Sequence, residues 1–254
     1  MKKLYIFSYG LYPGQITLET LAAMRECGEV YSHCLDKNAA RQFLKFAPGL
    51  ISTAGLDRSA TARAAMRGFR KHETVGFLTY GNPLFLNQTA AGLMREAQEK
   101  RVRVEVFAAV SSFDALVNLF NLNKYSRRGL RLADTASMAS LPEFTPDMDT
   151  LFFVPDVLNV PGSGAARKLF LAAAKKAYPA GAPVYLADCA SVSSREARVI
   201  KGRISALPSL LGRLNERHTI FIPAVEKKAE KKPAASSRPA CKSRPRPAGR
   251  SLLS

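Results

Sequence analysis

Val75–Pro83, with the sequence VGFLTYGNP, is the stretch that indicates the fold of this 254-residue chain. Its first six residues are apolar, β-branched or aromatic except for one glycine, a composition typical of a strand buried on both faces. Gly81, Asn82 and Pro83 then form a turn signal that ends the strand. Strands buried on both faces occur in parallel sheets that helices cover, so we expect an α/β fold.

Strand and helix patterns alternate on both sides of this stretch. Further strands are predicted at Leu4–Phe7, Val30–Ser32 and Val102–Phe107. Helical patterns lie at 18–28 after the capping residue Thr17, and at 39–46, 60–70, 89–100 and 112–122. The first helix is expected to have an apolar face of Leu18, Leu21, Ala22 and Met24. This series predicts a parallel sheet with helical crossovers, in which ligands bind at the carboxyl ends of the strands.

A segment rich in Asn, Arg and Gly, residues 121–129, separates this series from a second one. The second series has strand patterns at 151–154, 184–186, 198–204 and 219–222, and helical patterns at 164–175 and 207–214. We therefore expect two α/β lobes with a cleft between them. The N-terminal parallel lobe is predicted over residues 1–110 and the C-terminal lobe over residues 111–225.

The last 29 residues, 226–254, differ in composition from everything before them. They contain nine Lys or Arg and two Glu, together with many Pro, Ala and Ser, within a chain whose formal net charge is +18. Such a segment cannot form a core, so we predict a disordered basic tail. It is either a solubilising extension or a segment that binds RNA, DNA or an acidic protein. Aromatic residues are absent from it, so base stacking is not expected there.

Several classes of protein are excluded by the sequence. No apolar run approaches the roughly 20 residues that span a bilayer, and the apolar start is too short for a signal peptide. The four cysteines are scattered without CxxC spacing, which predicts neither disulfides nor a metal site and favours the cytoplasm. A P-loop and a GxGxxG fingerprint are both absent, which argues against the common nucleotide-binding sites.

Three loops that follow predicted strands resemble those of the tetrapyrrole (corrin/porphyrin) methylase superfamily. Tyr80–Pro83 is similar to the Gly-Asp-Pro turn of that family, Ala109–Ser112 to its Pro-Gly-Val-Ser-Ser segment, and Tyr9–Gly14 to its first Gly-rich loop. Two segments, Gly14–Glu19 and Ser111–Leu116, look especially like the branch of borosin peptide backbone N-methyltransferases. In the second lobe, residues 129–136, 150–153 and 219–223 match the order of elements in that branch.

The resemblance implies an S-adenosylmethionine-dependent methyltransferase, usually a homodimer, with the cofactor in the cleft between the lobes. It implies these cofactor-binding residues: Pro13, Tyr80, Gly81, Asn82, Phe85, Ser111, Ser112, Pro155 and Ala190. Tight turns such as Gly81-Asn82 bring backbone N–H and C=O groups close to a ligand, as a zwitterionic amino acid and a sulfonium require. By analogy Phe85 packs on the cofactor, and Pro155 and Ala190 line the adenine pocket.

Methyl transfer needs in-line alignment above all, and it needs a base only when the acceptor must lose a proton. Candidates for that base are Tyr9, Tyr12 and Asp114. Each has a structural alternative, because a loop tyrosine often packs with its hydroxyl solvated and an aspartate favours a helix N-terminus.

The chain also departs from the family's pattern. Ala108-Ala109 replaces Pro-Gly, Ser8 replaces the first glycine of the opening loop, and Asn82 replaces an aspartate. The predicted helix at Arg58–Arg70 lacks the tyrosines of the peptide N-methylating members. From the resemblance, we predict that the methyl acceptor is a tetrapyrrole or a ribosomal peptide. The alternatives are an RNA- or ribosome-associated methyltransferase and a non-catalytic member that binds cofactor or protein.

Overall fold

The computed structural model describes residues 1–35, 37–123, 128–192, 194 and 196–225, and the predicted tail 226–254 lies outside the described residues. The chain forms two five-stranded sheets with helices, which confirms the predicted α/β fold of two lobes. The elements of the first half are β1 (Lys3–Ser8), α1 (Leu18–Glu26), β2 (Glu29–Ser32), α2 (Lys37–Arg41), β3 (Leu50–Ser52), α3 (Arg58–Gly68), β4 (Thr74–Thr79), α4 (Gln88–Glu99), β5 (Arg103–Val106) and α5 (Ser112–Leu119).

The first sheet has the strand order β3-β2-β4-β1-β5, and all of its neighbouring strands pair in parallel. The strand β4, which opened the sequence argument, is the central one. Phe77 packs toward α3 and α4 and Leu78 toward the opposite face, each with no exposed surface. Both faces of the sheet are covered, and ligands of such parallel sheets bind at the loops of the carboxyl edge.

The second sheet has the order β6-β7-β10-β8-β9, and only β6 and β7 pair in parallel. Its elements are β6 (Leu130–Asp134), β7 (Asp149–Phe153), α6 (Gly164–Ala177), β8 (Pro183–Asp188), β9 (Arg198–Arg203), α7 (Leu207–Leu211) and β10 (His218–Ile222). One cluster of apolar side chains joins the two halves: Leu11 and Phe85 pack with Leu116 of α5 and with Leu151 and Phe221 of the second sheet. Among the described residues, no helix is long and apolar enough to cross a membrane.

The structure corrects four details of the sequence analysis. Strands β3 and β6 were not predicted, because β3 is only three residues long and β6 alternates charged and apolar residues at a sheet edge. The helix predicted at 39–46 ends at Arg41 and continues as turns that bury Phe43. The apolar face predicted for α1 is wrong in part: Leu18 is 85% exposed, and the buried stripe is Thr20, Ala23 and Met24.

Candidate functional site

Three loops lie side by side at the carboxyl edge of the first sheet. They follow β4, β1 and β5, which are adjacent in that order. Parallel pairing therefore brings together three groups of predicted residues: Pro13 after β1, Tyr80–Asn82 after β4, and Ser111-Ser112 after β5. The sequence predicted this proximity, because adjacent parallel strands end at one edge of a sheet.

The loops after β1 and β4 are fixed to each other by backbone hydrogen bonds. Gly81 donates its N–H to the carbonyl oxygen of Gly10 at 2.9 Å. Gly10 has a φ of +76° and donates its own N–H to the Ser8 hydroxyl oxygen at 3.0 Å. Gln15 accepts from the N–H of Leu11 through its side-chain oxygen at 2.7 Å. The serine at the position of the family's first glycine therefore supports the loop, because its buried hydroxyl satisfies a buried N–H.

The turn after β4 leaves space in front of Gly81. Gly81 has a φ of +63°, and nothing lies within 4 Å of the point where a Cβ would stand. Asn82 holds the turn, since its side-chain oxygen accepts from the N–H of Leu84 at 2.9 Å and its carbonyl oxygen accepts from Phe85 at 3.1 Å. That side-chain oxygen is thus used within the turn. Backbone groups beside the open space are the part of this loop that can contact a ligand.

Two contacts join this region of the first lobe to the second lobe. The Phe85 ring meets Phe153 edge to face, with ring centroids 4.9 Å apart, so it lies beside the end of β7 that leads to Pro155. The Cys189 thiol points at the carbonyl oxygen of Ser112 at 3.9 Å, which brings the loop after β8, with Ala190, next to the start of α5. These two contacts bring Phe85 and Ser112 next to the segments that contain Pro155 and Ala190.

The carboxyl ends of β6 and β7 contain a feature that the sequence analysis missed. Val154 has a φ of +54°, a left-handed conformation that is rare for a β-branched residue. It precedes a 3-10 turn, Pro155–Asn159, in which Pro155 is buried. Asp156 Oδ1 and Thr135 Oγ1 are buried, and neither has a hydrogen-bond partner among the described residues. An unpaired buried polar atom costs about 1–3 kcal/mol, so a ligand group that paired with it would be favoured.

Asp156 also acts electrostatically on the first lobe. The pKa of Tyr80, whose ring is half-exposed, is raised by removal of the phenol from water, and further by the charges of Cys34, Glu216 and Asp156. Of these causes Asp156 is the smallest, and it indicates only that the carboxylate lies within electrostatic range of Tyr80. No motif in the sequence indicated Asp156. The available signal was its position, directly after a predicted strand and a proline.

The three candidate bases differ in their surroundings. Tyr9 is buried, donates its hydroxyl to Cys34 Sγ at 3.7 Å and packs on Phe43; burial first, then Cys34, raises its pKa, so the phenol resists losing its proton. Asp114 forms a capping box at α5: its Oδ2 accepts from the backbone N–H and the hydroxyl of Ser111, each at 2.7 Å. Tyr12, 39% exposed, lies on the loop between β1 and α1. Asp114 thus has the helix-capping role that the sequence allowed as an alternative, whereas the Tyr9 hydroxyl is buried and paired with Cys34, not solvated.

Within the described part of the chain, no group of three or more His, Cys, Asp or Glu has a geometry that could hold a metal ion.

Comparison with known proteins identifies the family and related folds. The sequence matches the family model of Tetrapyrrole (Corrin/Porphyrin) Methylases over residues 3–208. The fold is similar to that of uroporphyrin-III-C-methyltransferase from Thermus thermophilus, with a TM-score of 0.63 and 16% identity over 87% of this chain and 92% of that one. It is also similar to cobalt precorrin-4 methyltransferase, a cobalamin biosynthetic enzyme, with a TM-score of 0.62 and 15% identity over 87% and 94%.

A third similar structure is a uroporphyrin-III C-methyltransferase from Thermus thermophilus in complex with S-adenosyl homocysteine. Its TM-score is 0.61 at 16% identity, over 87% of this chain and 97% of that one. No curated protein matches the sequence. At these identities the similar structures show the fold, and the family model shows the relationship.

Proposed function

The chain belongs to the tetrapyrrole (corrin/porphyrin) methylase family, and from this premise we propose that it is a methyltransferase that binds its methyl donor in the cleft between the lobes. The donor of this family is S-adenosylmethionine, and one of the similar structures contains the product of its demethylation, S-adenosyl homocysteine. Bound there, the sulfonium supplies an already activated methyl group. The protein's part is therefore to hold and align the reactants.

The observation that carries this proposal is the unpaired Asp156 Oδ1, just beyond the carboxyl end of β7. S-adenosylmethionine has ribose hydroxyls and two nitrogen groups that donate hydrogen bonds, and a charge-assisted bond to a buried carboxylate is worth about twice a neutral one. Thr135 Oγ1, equally unpaired at the end of the neighbouring parallel strand, offers a second partner. On the first lobe, the open space at Gly81 admits a ligand close to backbone groups. The residues present thus fit the cofactor.

In this proposal, residues on each side of the cleft have a distinct role in binding the cofactor. The loops after β1 and β4 hold the methionine end through backbone groups, in a position that their mutual hydrogen bond fixes. Phe85 and Phe153 exclude water at the junction of the lobes. Burial raises the pKa of Tyr9 and its hydroxyl proton is donated to Cys34, so Tyr9 does not take a proton from the acceptor.

Two acceptors have specific support. A tetrapyrrole is favoured by the similar structures, whose enzymes act on uroporphyrin III and cobalt precorrin-4. A ribosomal peptide is favoured by the resemblance of residues 14–19 and 111–116 to the borosin branch. We also propose a cytoplasmic homodimer, as the family's pairing suggests. The departure at Ser8 argues against a decayed, non-catalytic member, because its hydroxyl bonds to Gly10 and supports the loop.

Isothermal titration of the full chain with S-adenosylmethionine and with S-adenosyl homocysteine tests the proposal. We expect a Kd on the order of micromolar for both ligands. Gly81→Trp fills the space in front of the turn and should abolish binding. Gly129→Trp is the matched control, since Gly129 is also left-handed with open space around its Cβ direction, but precedes the amino end of β6. Failure of the wild-type protein to bind either ligand at millimolar concentration would refute the proposed function.

A further inference from the structure

An open groove of about 710 Å³ lies between α3 and α4 on the helical face of the first lobe. Arg58 and Arg63 line it from α3, and Arg95 and Glu96 line it from α4. None of the residues predicted to bind the cofactor or to act as a base contributes to it. The groove is thus separate from the cleft proposed for methyl transfer.

The charge of the groove is strongly unbalanced. All three arginines are exposed, and the side chains of Arg63 and Arg95 have no hydrogen bond or ion pair with another described residue. Arg58 donates to the side-chain oxygen of Gln88, so its guanidinium is drawn across the groove toward α4. Glu96, the carboxylate that lines the groove, is paired with Lys100 at 2.6 Å. The positive charge is therefore left for a partner from outside.

The floor of the groove is made of small side chains. Ala62, Ala91 and Gly92 line it, and a guanidinium nitrogen of Arg95 lies 3.8 Å from the point where a Cβ on Gly92 would stand. Asp57, at the entrance of α3, uses a carboxylate oxygen to cap that helix by accepting from the N–H of Ala60 at 2.7 Å. The arginines and these small residues thus line the same open groove.

We propose that the α3–α4 groove binds the sugar–phosphate backbone of single-stranded RNA. Guanidinium groups bind phosphate oxygens through two parallel hydrogen bonds, which suits a row of exposed arginines. No aromatic side chain lines the groove, so it contacts the backbone without stacking on bases. The hydroxyls and amide of Ser59, Thr89 and Gln88 are the partners that a ribose 2′-hydroxyl takes.

Two other anionic partners fit the groove less well. A bilayer surface is flat and does not enter a channel between two helices. An acidic peptide gains its affinity from apolar anchors as well as charge, and the small residues of this floor offer no pocket for them.

The test measures binding of a fluorescein-labelled oligouridylate by fluorescence anisotropy over a series of salt concentrations. All proteins are full-length and have Lys227, Lys228, Lys231 and Lys232 changed to Gln, which lowers the background from the basic C-terminal segment. Arg63→Glu/Arg95→Glu is compared with Arg198→Glu/Arg203→Glu, a pair with the same change of charge on exposed residues of β9. Circular dichroism checks that each variant is folded.

We expect the groove variant to bind at least about tenfold more weakly, and its plot of log affinity against log salt to be shallower by roughly 1.4 for two lost phosphate contacts. The β9 variant should lose much less, and Arg63→Lys/Arg95→Lys should keep most of the salt slope. Equal losses in the two Glu variants would overturn the proposal, as would equal binding of polyglutamate and oligouridylate. A wild-type dimer that becomes a monomer only in the groove variant, seen by sedimentation, would instead identify the groove as an interface between copies.

Discussion

The loops after β1 and β4 and the loops after β6 and β7 differ in how their polar groups are paired. On the first lobe, the polar groups of the loops after β1 and β4 are paired with one another, through Ser8, Gly10, Gly81 and Asn82. On the second lobe, the ends of β6 and β7 hold a left-handed Val154 and the unpaired oxygens of Asp156 and Thr135.

The two groups of loops illustrate two ways in which a free protein can be prepared to bind a ligand. A loop with satisfied hydrogen bonds has its final shape before the ligand arrives, which lowers the entropy cost of binding. A side with strained backbone and unpaired atoms lowers the stability of the free protein, and that cost is removed when a ligand supplies the missing partner. We therefore expect substitutions on the first side to reduce stability, and substitutions on the second side to reduce affinity while increasing stability.

Gly10→Ala should have the largest effect on stability. Its Cβ would stand 2.6 Å from Gln15 Cβ, and its φ of +76° disfavours any side chain, so a loss of about 2–5 kcal/mol in the free energy of unfolding is expected. Gly55→Ala is the control, because Gly55 has a φ of +87° but nothing within 4 Å of its Cβ direction. It should cost only about 1–2 kcal/mol in urea denaturation. Equal losses would show that the packing around Gly10 is not restrictive.

Asp156→Ala should weaken binding of S-adenosyl homocysteine by about 10- to 100-fold, the worth of a charge-assisted hydrogen bond. The same change should raise the unfolding free energy of the ligand-free protein by about 1 kcal/mol, because it removes an unpaired buried oxygen. Titration calorimetry and urea denaturation measure the two effects.

Asp134→Ala is the matched control for this pair of effects. Its carboxylate, at the end of the neighbouring strand β6, accepts from the N–H of Ala136 at 3.0 Å and from the Ser137 hydroxyl. Since these partners are lost, Asp134→Ala should lower the unfolding free energy. If both variants lower it equally, Asp156 has a partner in the free protein and the contrast between the two sides fails.

Ser8→Ala removes one hydrogen bond of the loop after β1, the bond from the Gly10 N–H to the Ser8 hydroxyl. The buried N–H of Gly10 loses its acceptor, so we expect a loss of about 1–2 kcal/mol in unfolding free energy. Ser8→Thr keeps the hydroxyl and should recover part of that loss. A thermal melt that is the same for wild type and Ser8→Ala would mean that another group, or water, takes the place of the hydroxyl.

The satisfied side was also the side that the sequence could predict. Apolar runs followed by Gly, Asn and Pro identify β1 and β4 and their turns, and parallel pairing then brings Pro13, Gly81 and Ser111 to one edge. Local capping was equally visible, because Thr17 precedes a helix at the position where its side chain accepts an N–H. These features depend on neighbours in sequence or on one rule of sheet pairing.

The strained side depends on tertiary structure and was missed. β6 alternates Arg131 with apolar residues at a sheet edge and was not predicted, so the parallel pair that positions Thr135 could not be inferred. Whether the Asp156 carboxylate is paired depends on the tertiary packing of the turn at Pro155–Asn159. The prediction that Leu18 is buried was wrong for a similar reason, because the way α1 packs on the sheet decides which of its side chains are buried.

Val154→Gly is expected to have the smallest effect, and its sign is informative. A glycine at φ +54° removes a left-handed backbone strain of about 1–2 kcal/mol from the folded state. It also increases the conformational entropy of the unfolded chain, which lowers stability by roughly 0.5–1 kcal/mol. The net expectation is a gain of about 0.5–1 kcal/mol in unfolding free energy, measured in urea. Val154→Ala serves as the comparison, because alanine still disfavours the left-handed region and should gain less than glycine. If glycine destabilises the protein more than alanine does, the packing of the 36% exposed Val154 side chain outweighs its backbone strain. The end of β7 would then not be a strained segment, and the contrast with the loops after β1 and β4 would fail.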